Sequence, residues 1–392
     1  MKTQELWQQI NKDTPIAVLL SGGVDSSVSL AMLKRAGFTR LKAFYLKIWL
    51  EDELSHLGQC PWAEDLQFCK DVCELLQVPL EIVSMQHAYW ENVVQYTCSE
   101  LRAGFTPSPD VMCNTLIKFG AFVDYLHLHA QMPPGFMVAS GHYAKTIFRN
   151  NENDDVALLR AADIDKDQTY FLSRLRPDQL RLCLFPLGGL QKQEVRNLAI
   201  EWGLPNAARK DSQGICFLGK IPYDEFIKEQ LGSNPGLIKE WGSQKILGKH
   251  QGFWFHTIGQ RKGLGLGGGP WFVVKKDVVE NTIFVASDQQ RSQIPADRFV
   301  SDEIHWLNKP RGLQPLELKL RHGPKLIGVL EYQLGKEQNA FVLQSPDFGI
   351  APGQFAVLYE GMECLGGARI SWQSVPKNGG IAFNEDRNSH QL

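Results

Sequence analysis

The sequence predicts an α/β fold: a doubly wound parallel sheet, followed by a small mixed central domain and a C-terminal β-barrel. Three observations predict it. Short apolar runs alternate with helix-period segments through the first half of the chain. A glycine-rich, lysine-bearing stretch interrupts that alternation after about residue 204. Short alternating strands with turn residues then dominate to the end.

The alternation begins with residues 16–20 (IAVLL), an apolar run bounded by polar residues and therefore a buried strand. Residues 21–37 read as a loop feeding a helix, with Val24, Val28, Ala31 and Met32 at helical spacing and a stop at Gly37. Strands are expected at 41–49, 80–83 and 136–140, and helices at 63–77, 87–103 and 114–130. Strands separated by helices pair in parallel, with helices covering both faces. A short helix fits 221–231. Residues 259–270 (GQRKGLGLGGGP) hold too many glycines for a regular element and read as a mobile loop. The segments TIFVAS, LELKLR, LIGVLEY, AFVLQS and QFAVLYE read as barrel strands. Domain boundaries are placed at 1–204, 205–280 and 281–376, with a polar, disordered tail at 377–392.

Composition narrows the class. At 392 residues, 43% hydrophobic and 21% charged, the chain reads as an ordinary multidomain globular protein. Its apolar runs are far shorter than the ~20 residues a membrane helix requires, and its first residues are polar, so a cytoplasmic location is expected. The net charge is −2, but residues 205–280 carry eleven Lys and Arg against seven Asp and Glu, leaving −6 elsewhere. A basic middle segment suits phosphate contacts and equally a solvated surface. Among the eight cysteines no spacing matches a zinc site, so no structural metal is expected. Cys60, Cys69 and Cys73 cluster, and buried inert thiols are their ordinary role.

The segment SGGVDSS, from Ser21 to Ser27, directly follows the first strand and opens a helix. Its glycines let backbone approach an anion, and the free N–H groups and helix dipole favour phosphate there. No lysine occupies the Walker-A position, so the loop is of another kind. A second strand ends in ASGHY. If it neighbours the first strand, Gly141 and His142 face the same crevice, at the switch point where such sheets bind ligands.

Two cysteine motifs follow. In TPSPDVMCN, prolines stiffen the loop before a helix, and Cys113 falls near the helix start, where the dipole favours thiolate. Asp110 can serve there as a general acid or base, or simply as a cap. In KDSQGICF, Arg209 and Lys210 lie close before Cys216. On the residues alone, a packed core thiol is the commoner role for either cysteine.

Together these motifs resemble the MnmA/TrmU family of tRNA-specific 2-thiouridylases, in the ATP pyrophosphatase superfamily. SGGVDSS, TPSPDVMCN, ASGHY, the KDQTYF part of AADIDKDQTYF, KDSQGICFLG, TIGQRKGLGL and APGQFAVLYEGMECLGG occur in the family's order and span nearly the whole chain. The resemblance implies ATP-dependent 2-thiolation of a wobble uridine. It assigns Cys113 as nucleophile, Cys216 as persulfide carrier and Asp110 as acid/base, with a disulfide between the two cysteines closing the cycle. It places ATP, with Mg2+, against Leu19, Leu20, Ser21, Gly22, Gly23, Val24, Asp25, Ser26, Leu46 and Gly141. It places the anticodon arm of tRNA against Ser108, Pro109, Asp110, His142, Lys166, Asp167, Gln168, Arg321, His322 and Gln354. It implies a persulfide donor protein, such as a cysteine desulfurase or relay. The chain departs from the family pattern in Ser108 for an Asn, Leu46 for a Met and His322 for a Tyr. Two other readings share part of these motifs: an ATP pyrophosphatase-type ligase or amidotransferase, which leaves the cysteine motifs idle, and a non-catalytic RNA-binding module, which leaves SGGVDSS idle.

Overall fold

A computed structural model describes residues 5–48, 62–130, 132–150, 155–210, 221–335 and 338–371. The polar tail and the expected persulfide carrier Cys216 lie outside the described residues, as does Cys60.

The chain first lays down β1 (Ile16–Leu20), β2 (Leu41–Lys47), β3 (Leu80–Ser84) and β4 (Met137–Ala139). A hairpin of β5 (Ala144–Asn150) and β6 (Asp155–Arg160) intervenes before β7 (Cys183–Leu184). The sheet order is β3-β2-β1-β4-β7, and every pairing is parallel. All five residues of β1 are buried, as a central strand covered on both faces requires.

Helix Val24–Arg35 is buried on two sides. Leu30 and Leu33 join the core of the sheet. Val24, Val28 and Ala31 pack instead with Leu187, Val195 and Ala199, the last two from helix Lys192–Glu201. Burial of each leucine contributes about 1.5–3 kcal/mol. The helix therefore has little polar face, and Ser26, Ser27 and Ser29 are buried with it. The two long helical segments expected near 87–103 and 114–130 run over Gln86–Tyr89, Trp90–Val94 and Gln95–Arg102, and over Pro109–Met112, Cys113–Ala121 and Phe122–Leu128. Each contains a π-helical stretch, Trp90–Val94 in the first and Cys113–Ala121 in the second.

A second sheet comprises β8 (Gly236–Glu240), β9 (Ile246–His250), β10 (Phe272–Asp277) and β11 (Thr282–Ala286), in the order β10-β11-β8-β9. This corrects the expected boundary: TIFVAS is β11, and it pairs with β8 and β10 rather than with the barrel. The glycine-rich stretch 259–270 carries neither helix nor strand.

The last strands are β12 (Arg298–Ser301), β13 (His305–Trp306), β14 (Leu316–Lys319), β15 (Ile327–Leu334), β16 (Asn339–Leu343), β17 (Phe355–Glu360) and β18 (Glu363–Arg369). They run in the order β12-β16-β15-β14-β17-β18, with β13 also on β18. A bridge from Ser301 to Ile370 brings β12 back beside the end of β18 and closes the barrel. Its core includes Phe299, Leu318, Phe341, Leu358 and Leu365, with Phe299 and Phe341 stacked at 5.1 Å. The hairpin β5–β6 extends this sheet, β6 pairing with β18 through Leu158↔Cys364 and Leu159↔Glu363. Two domains thus share one sheet.

Where they meet, a charged cluster is fully enclosed. Lys319 on β14 donates to Asp167 at 2.5 Å, and both side chains are 0% exposed. Thr169 Oγ1 donates to Asp167 and contacts the Tyr359 hydroxyl at 3.0 Å, while Arg160 Nε lies 3.5 Å from the same carboxylate. Removing one partner from such a pair leaves a buried charge unpaired. Lys319→Ala is accordingly expected to cost about 3–5 kcal/mol in denaturant unfolding. Pairing Lys319→Met with Asp167→Leu is expected to recover most of that loss; a single variant as stable as the parent would remove the cluster from the interdomain contact.

Candidate active site

The strand order puts β1 between β2 and β4, so the crevice at their carboxyl ends is the switch point of the sheet. Leu19 and Leu20 end β1, buried, and Leu46 is half-buried near the end of β2. Ser21, Gly22 and Gly23 turn the chain into helix Val24–Arg35, with Gly23 as its N-cap residue. Gly22 has φ +76°, and a Cβ there would meet the Asp65 carbonyl at 2.5 Å. The Ser26 hydroxyl donates to the Gly23 carbonyl at 3.0 Å and accepts from Ser21 N–H at 3.2 Å, which folds the loop around the helix start. No side-chain oxygen caps this helix, so its first N–H groups face the crevice with the positive end of the dipole.

Gly141, just past β4, closes the other wall. A Cβ at Gly141 would sit 2.7 Å from Ser26 N, so only glycine lets ASGHY lie against the phosphate loop. His142 Nδ1 bonds Ser140 Oγ at 2.8 Å, and its ring forms a three-ring cluster with Phe119 and Phe185. Burial, and then the charge of Lys118, hold its pKa well below the usual histidine value. Gln168 braces the same turn by accepting from Tyr143 N–H at 3.0 Å.

Charges around the loop come from residues the motifs did not flag. Lys192 donates to both Asp25 oxygens at 2.7 and 2.8 Å, and the Tyr143 hydroxyl donates to Oδ1 at 3.0 Å. Arg209 donates to the Gly22 carbonyl at 3.0 Å and pairs with Asp65. Asn206 Nδ2 bonds the Gly22 carbonyl and Ser27 Oγ at 2.8 and 2.9 Å. One signal for Lys192 was available: it opens helix Lys192–Glu201, the end where a cation opposes the dipole. Cys69 packs on the same loop at 1% exposure, and burial pushes its thiol up to about 12, an inert thiol.

The second cluster lies on the helix that starts at Pro109. Ser108 is its N-cap residue and makes no side-chain cap bond. Asp110 is in the first turn and Asn114 bonds the Phe171 carbonyl at 3.3 Å, so neither residue caps the helix. Cys113 is 2% exposed and sits one turn inside the helix, where the dipole has largely decayed, not at its start. Burial raises the Asp110 pKa, opposed by the charges of Lys118 and His322. His142 packs its ring 6.2 Å from Phe119 of the same helical stretch, which brings the GHY turn beside the Cys113 helix. His322, exposed on the barrel, packs against Phe171 with ring centroids 4.5 Å apart and the planes tilted by 30°. Thr106 N–H donates to the Pro352 carbonyl at 2.7 Å, locking the TPSPD loop against the barrel.

The residues expected at RNA divide. Lys166 is exposed. Arg321, bidentate to Asp347, and Gln354 line a cleft of about 440 Å3 with Arg291 and Lys325, beside Gly259 of the glycine-rich stretch. Asp167 does not join them. Its carboxylate is turned inward onto Lys319, which corrects its expected contact with RNA.

A parallel sheet with a glycine-rich, lysine-free loop at its switch point, joined to a small second sheet and a barrel, defines a multidomain α/β protein whose ligand crevice lies at the carboxyl ends of β1 and β4. The comparisons with known sequences give the family. Residues 14–220 match the family profile described as "tRNA methyl transferase HUP domain", residues 224–287 its PRC-barrel domain and residues 296–370 the "Aminomethyltransferase beta-barrel domain". The tRNA-specific 2-thiouridylase MnmA 2 of Bacteroides fragilis is 42% identical over 365 residues, 91% of this chain and 99% of that protein. The corresponding MnmA of Porphyromonas gingivalis is 42% identical over 88% of this chain and 95% of its own. That of Geobacillus thermodenitrificans is 40% identical over 94% and 96%. The chain belongs to the MnmA family of tRNA-specific 2-thiouridylases. Among the described residues no helix is long and apolar enough to cross a membrane.

Two variants test this geometry. Gly141→Ala is expected to weaken ATP binding at least tenfold in equilibrium titration while the fold persists, because its methyl group must displace the start of the phosphate-loop helix. Asp110→Asn is expected to be more stable than the parent at pH 7. A carboxyl whose folded pKa is raised favours folding only while protonated, so the parent loses that stability as pH rises from its unfolded pKa of ~3.9 towards the raised folded value. The gap should therefore close at the acid end of a pH series of unfolding curves; a gap independent of pH would contradict the burial of this carboxyl.

Proposed function

We propose that the protein is an ATP-dependent tRNA-uridine 2-sulfurtransferase acting on the wobble position. The observation that carries this reading is the meeting of two sites. The phosphate loop between Gly22 and Ser26 abuts Gly141, and the neighbouring His142 packs its ring 6.2 Å from Phe119, which lies on the helical stretch that begins at Cys113.

The C2 carbonyl of uracil is a poor electrophile because its oxygen is a poor leaving group. Attack of that oxygen on the α-phosphorus of ATP forms an adenylated uridine and expels pyrophosphate. Gly22, Gly23 and the first N–H groups of helix Val24–Arg35 receive the phosphates, and Lys192 and Arg209 offset their charge. Asp25 is the carboxylate that would hold Mg2+, which supplies further charge neutralisation when bound. Asp110, its proton affinity raised by burial, is the acid/base beside the uracil ring. The base must leave its stack to enter, and His322 on Phe171 offers an aromatic face at the mouth.

Cys216 carries the sulfane sulfur delivered by a persulfide donor protein. Its terminal sulfur bonds C2 and AMP leaves with the former C2 oxygen. The Cys113 thiolate then attacks Cys216 Sγ, which breaks the S–S bond to the transferred sulfur and yields 2-thiouridine and a Cys113–Cys216 disulfide. Alternatively, Cys113 attacks the persulfide first and frees sulfide, which adds to C2; the same disulfide results. A two-electron reductant restores both thiols. The anticodon arm is held by Lys166, Arg321 and Gln354 with the basic central domain, while Ser108, Pro109 and Gln168 shape the entrance.

ATP–pyrophosphate exchange that requires added tRNA tests the first half of this reaction. Asp25→Ala is expected to lose it, and Cys113→Ser and Cys216→Ser to keep it. With a sulfur donor, Cys216→Ser should take up no persulfide, while Cys113→Ser should still load at Cys216; both should fail at steady-state thiolation measured by nucleoside mass spectrometry. Full turnover by either cysteine variant would return that thiol to a packing role.

A further inference from the structure

Past helix Lys192–Glu201, the chain folds back onto the phosphate turn. Leu204 joins the cluster of Val28, Ala31 and Val195, which seats the following residues against the loop. Asn206 and Arg209 then form one tight turn, with Arg209 N–H donating to the Asn206 carbonyl at 2.9 Å. Arg196 braces that turn from the helix by donating to the Arg209 carbonyl. Both side chains meet at one acceptor. Asn206 Nδ2 and Arg209 Nη1 donate to the Gly22 carbonyl at 2.8 and 3.0 Å.

Asn206 is 1% exposed, and its amide has a single possible orientation. The Gly22 carbonyl can only accept. Ser27 Oγ already donates to the Gly23 carbonyl at 3.1 Å, so it accepts from Asn206 Nδ2 at 2.9 Å. Both amide hydrogens are therefore spent inside the protein. Oδ1 is buried without a hydrogen-bond partner among the described residues. An orphaned buried acceptor costs free energy, so packing alone does not account for an asparagine here. Enclosed and with no hydrogen to spare, Asn206 can act on a ligand only through Gly22.

The Gly22–Gly23 peptide transmits that action. It is trans, and the C=O and N–H of a trans peptide point in opposite directions. With the carbonyl held on the side of residues 206–209, the Gly23 N–H points away from them. Gly22 is buried at φ +76° and Gly23 is half-buried. A Cβ at Gly23 would meet nothing closer than Ser21 Oγ at 3.4 Å, so there is room beside it. The Gly23 N–H has no hydrogen-bond partner among the described residues. The bond from Arg209 is charge-assisted. It draws electron density from the carbonyl and makes the N–H across the same amide a stronger donor.

We infer that Asn206, with Arg209, is a positioning residue of the nucleotide site. It orients and polarises the Gly22–Gly23 peptide so that the Gly23 N–H donates to a phosphoryl oxygen of ATP. The inference rests on the ATP reading above and adds to it a residue that lies outside every sequence motif.

Equilibrium titration of the full-length protein with ATP and, separately, with adenosine tests it. Asn206→Ala is expected to lose about tenfold in ATP affinity, as one bond to a charged oxygen falls out of line. It should bind adenosine like the parent. In tRNA-dependent ATP–pyrophosphate exchange, KM for ATP should rise by the same factor and KM for tRNA should stay. A merely structural role would move adenosine affinity and KM for tRNA as well. Arg209→Lys, at a half-buried position, gives a second reading that does not depend on Asn206→Ala folding well. It keeps the charge but loses the fork that reaches the Gly22 carbonyl and Asp65 together. ATP affinity should again fall while adenosine affinity holds. A parent that binds no ATP would overturn the functional reading itself. ATP binding by the parent that both variants match would overturn this inference alone. So would ATP and adenosine affinities that fall together.

Discussion

The buried Asp167–Lys319 pair is the contact on which the rest of the site depends. Asp167 follows the first domain's hairpin and Lys319 belongs to the barrel, so the pair fixes one against the other where neither residue meets water. Its energy relative to a hydrophobic replacement need not be large. Its specificity is the larger contribution, because any other docking would strand a carboxylate and an ammonium in a dry interface. Tyr359 and Thr169 extend the cluster, and Tyr170 anchors it through the Phe355 carbonyl at 3.2 Å. With that docking set, His322 reaches Phe171, and Pro352 meets the TPSPD loop.

The phosphate loop is charged to near balance by the protein itself. Lys192 engages Asp25, and Arg209 engages Asp65 across the Gly22 carbonyl. Both cations therefore have carboxylate partners within the protein, and in the proposed reaction an incoming polyphosphate would have to compete with acids already in place, tempering ground-state affinity while donors stay preorganised for charge that would develop on pyrophosphate. Asn206 and Arg209 also tie the end of the first domain to the loop immediately before the residues that contain Cys216.

The first domain was legible because its signals are local. Five apolar residues followed by SGG specify a buried strand and a phosphate turn without reference to distant chain. The hairpin β5–β6 and strand β18 were not legible. The sequence of β18, ECLGGAR, contains two glycines and reads as a turn; it becomes a strand because β17, β13 and β6 all pair with it. The central strands were hidden by lysines at 239, 249, 275 and 276, which gave the region the look of a solvated surface. Lys276 points inward nevertheless. Asp167 failed in the same way: a motif marks that a residue matters, and only packing decides whether it faces a ligand or a neighbouring domain.

The shared sheet has a consequence for how the molecule is made. Leu159 finds its partner in Glu363, more than two hundred positions later in the chain. A polypeptide emerging amino-end first exposes the outer edge of β6 throughout synthesis of both later domains. An unpaired edge is a template for association with other chains, and contacts of such long sequence separation form slowly. The first domain therefore completes its own surface only when the carboxyl-terminal strand arrives, and during that interval the nascent chain is the form most in need of a chaperone.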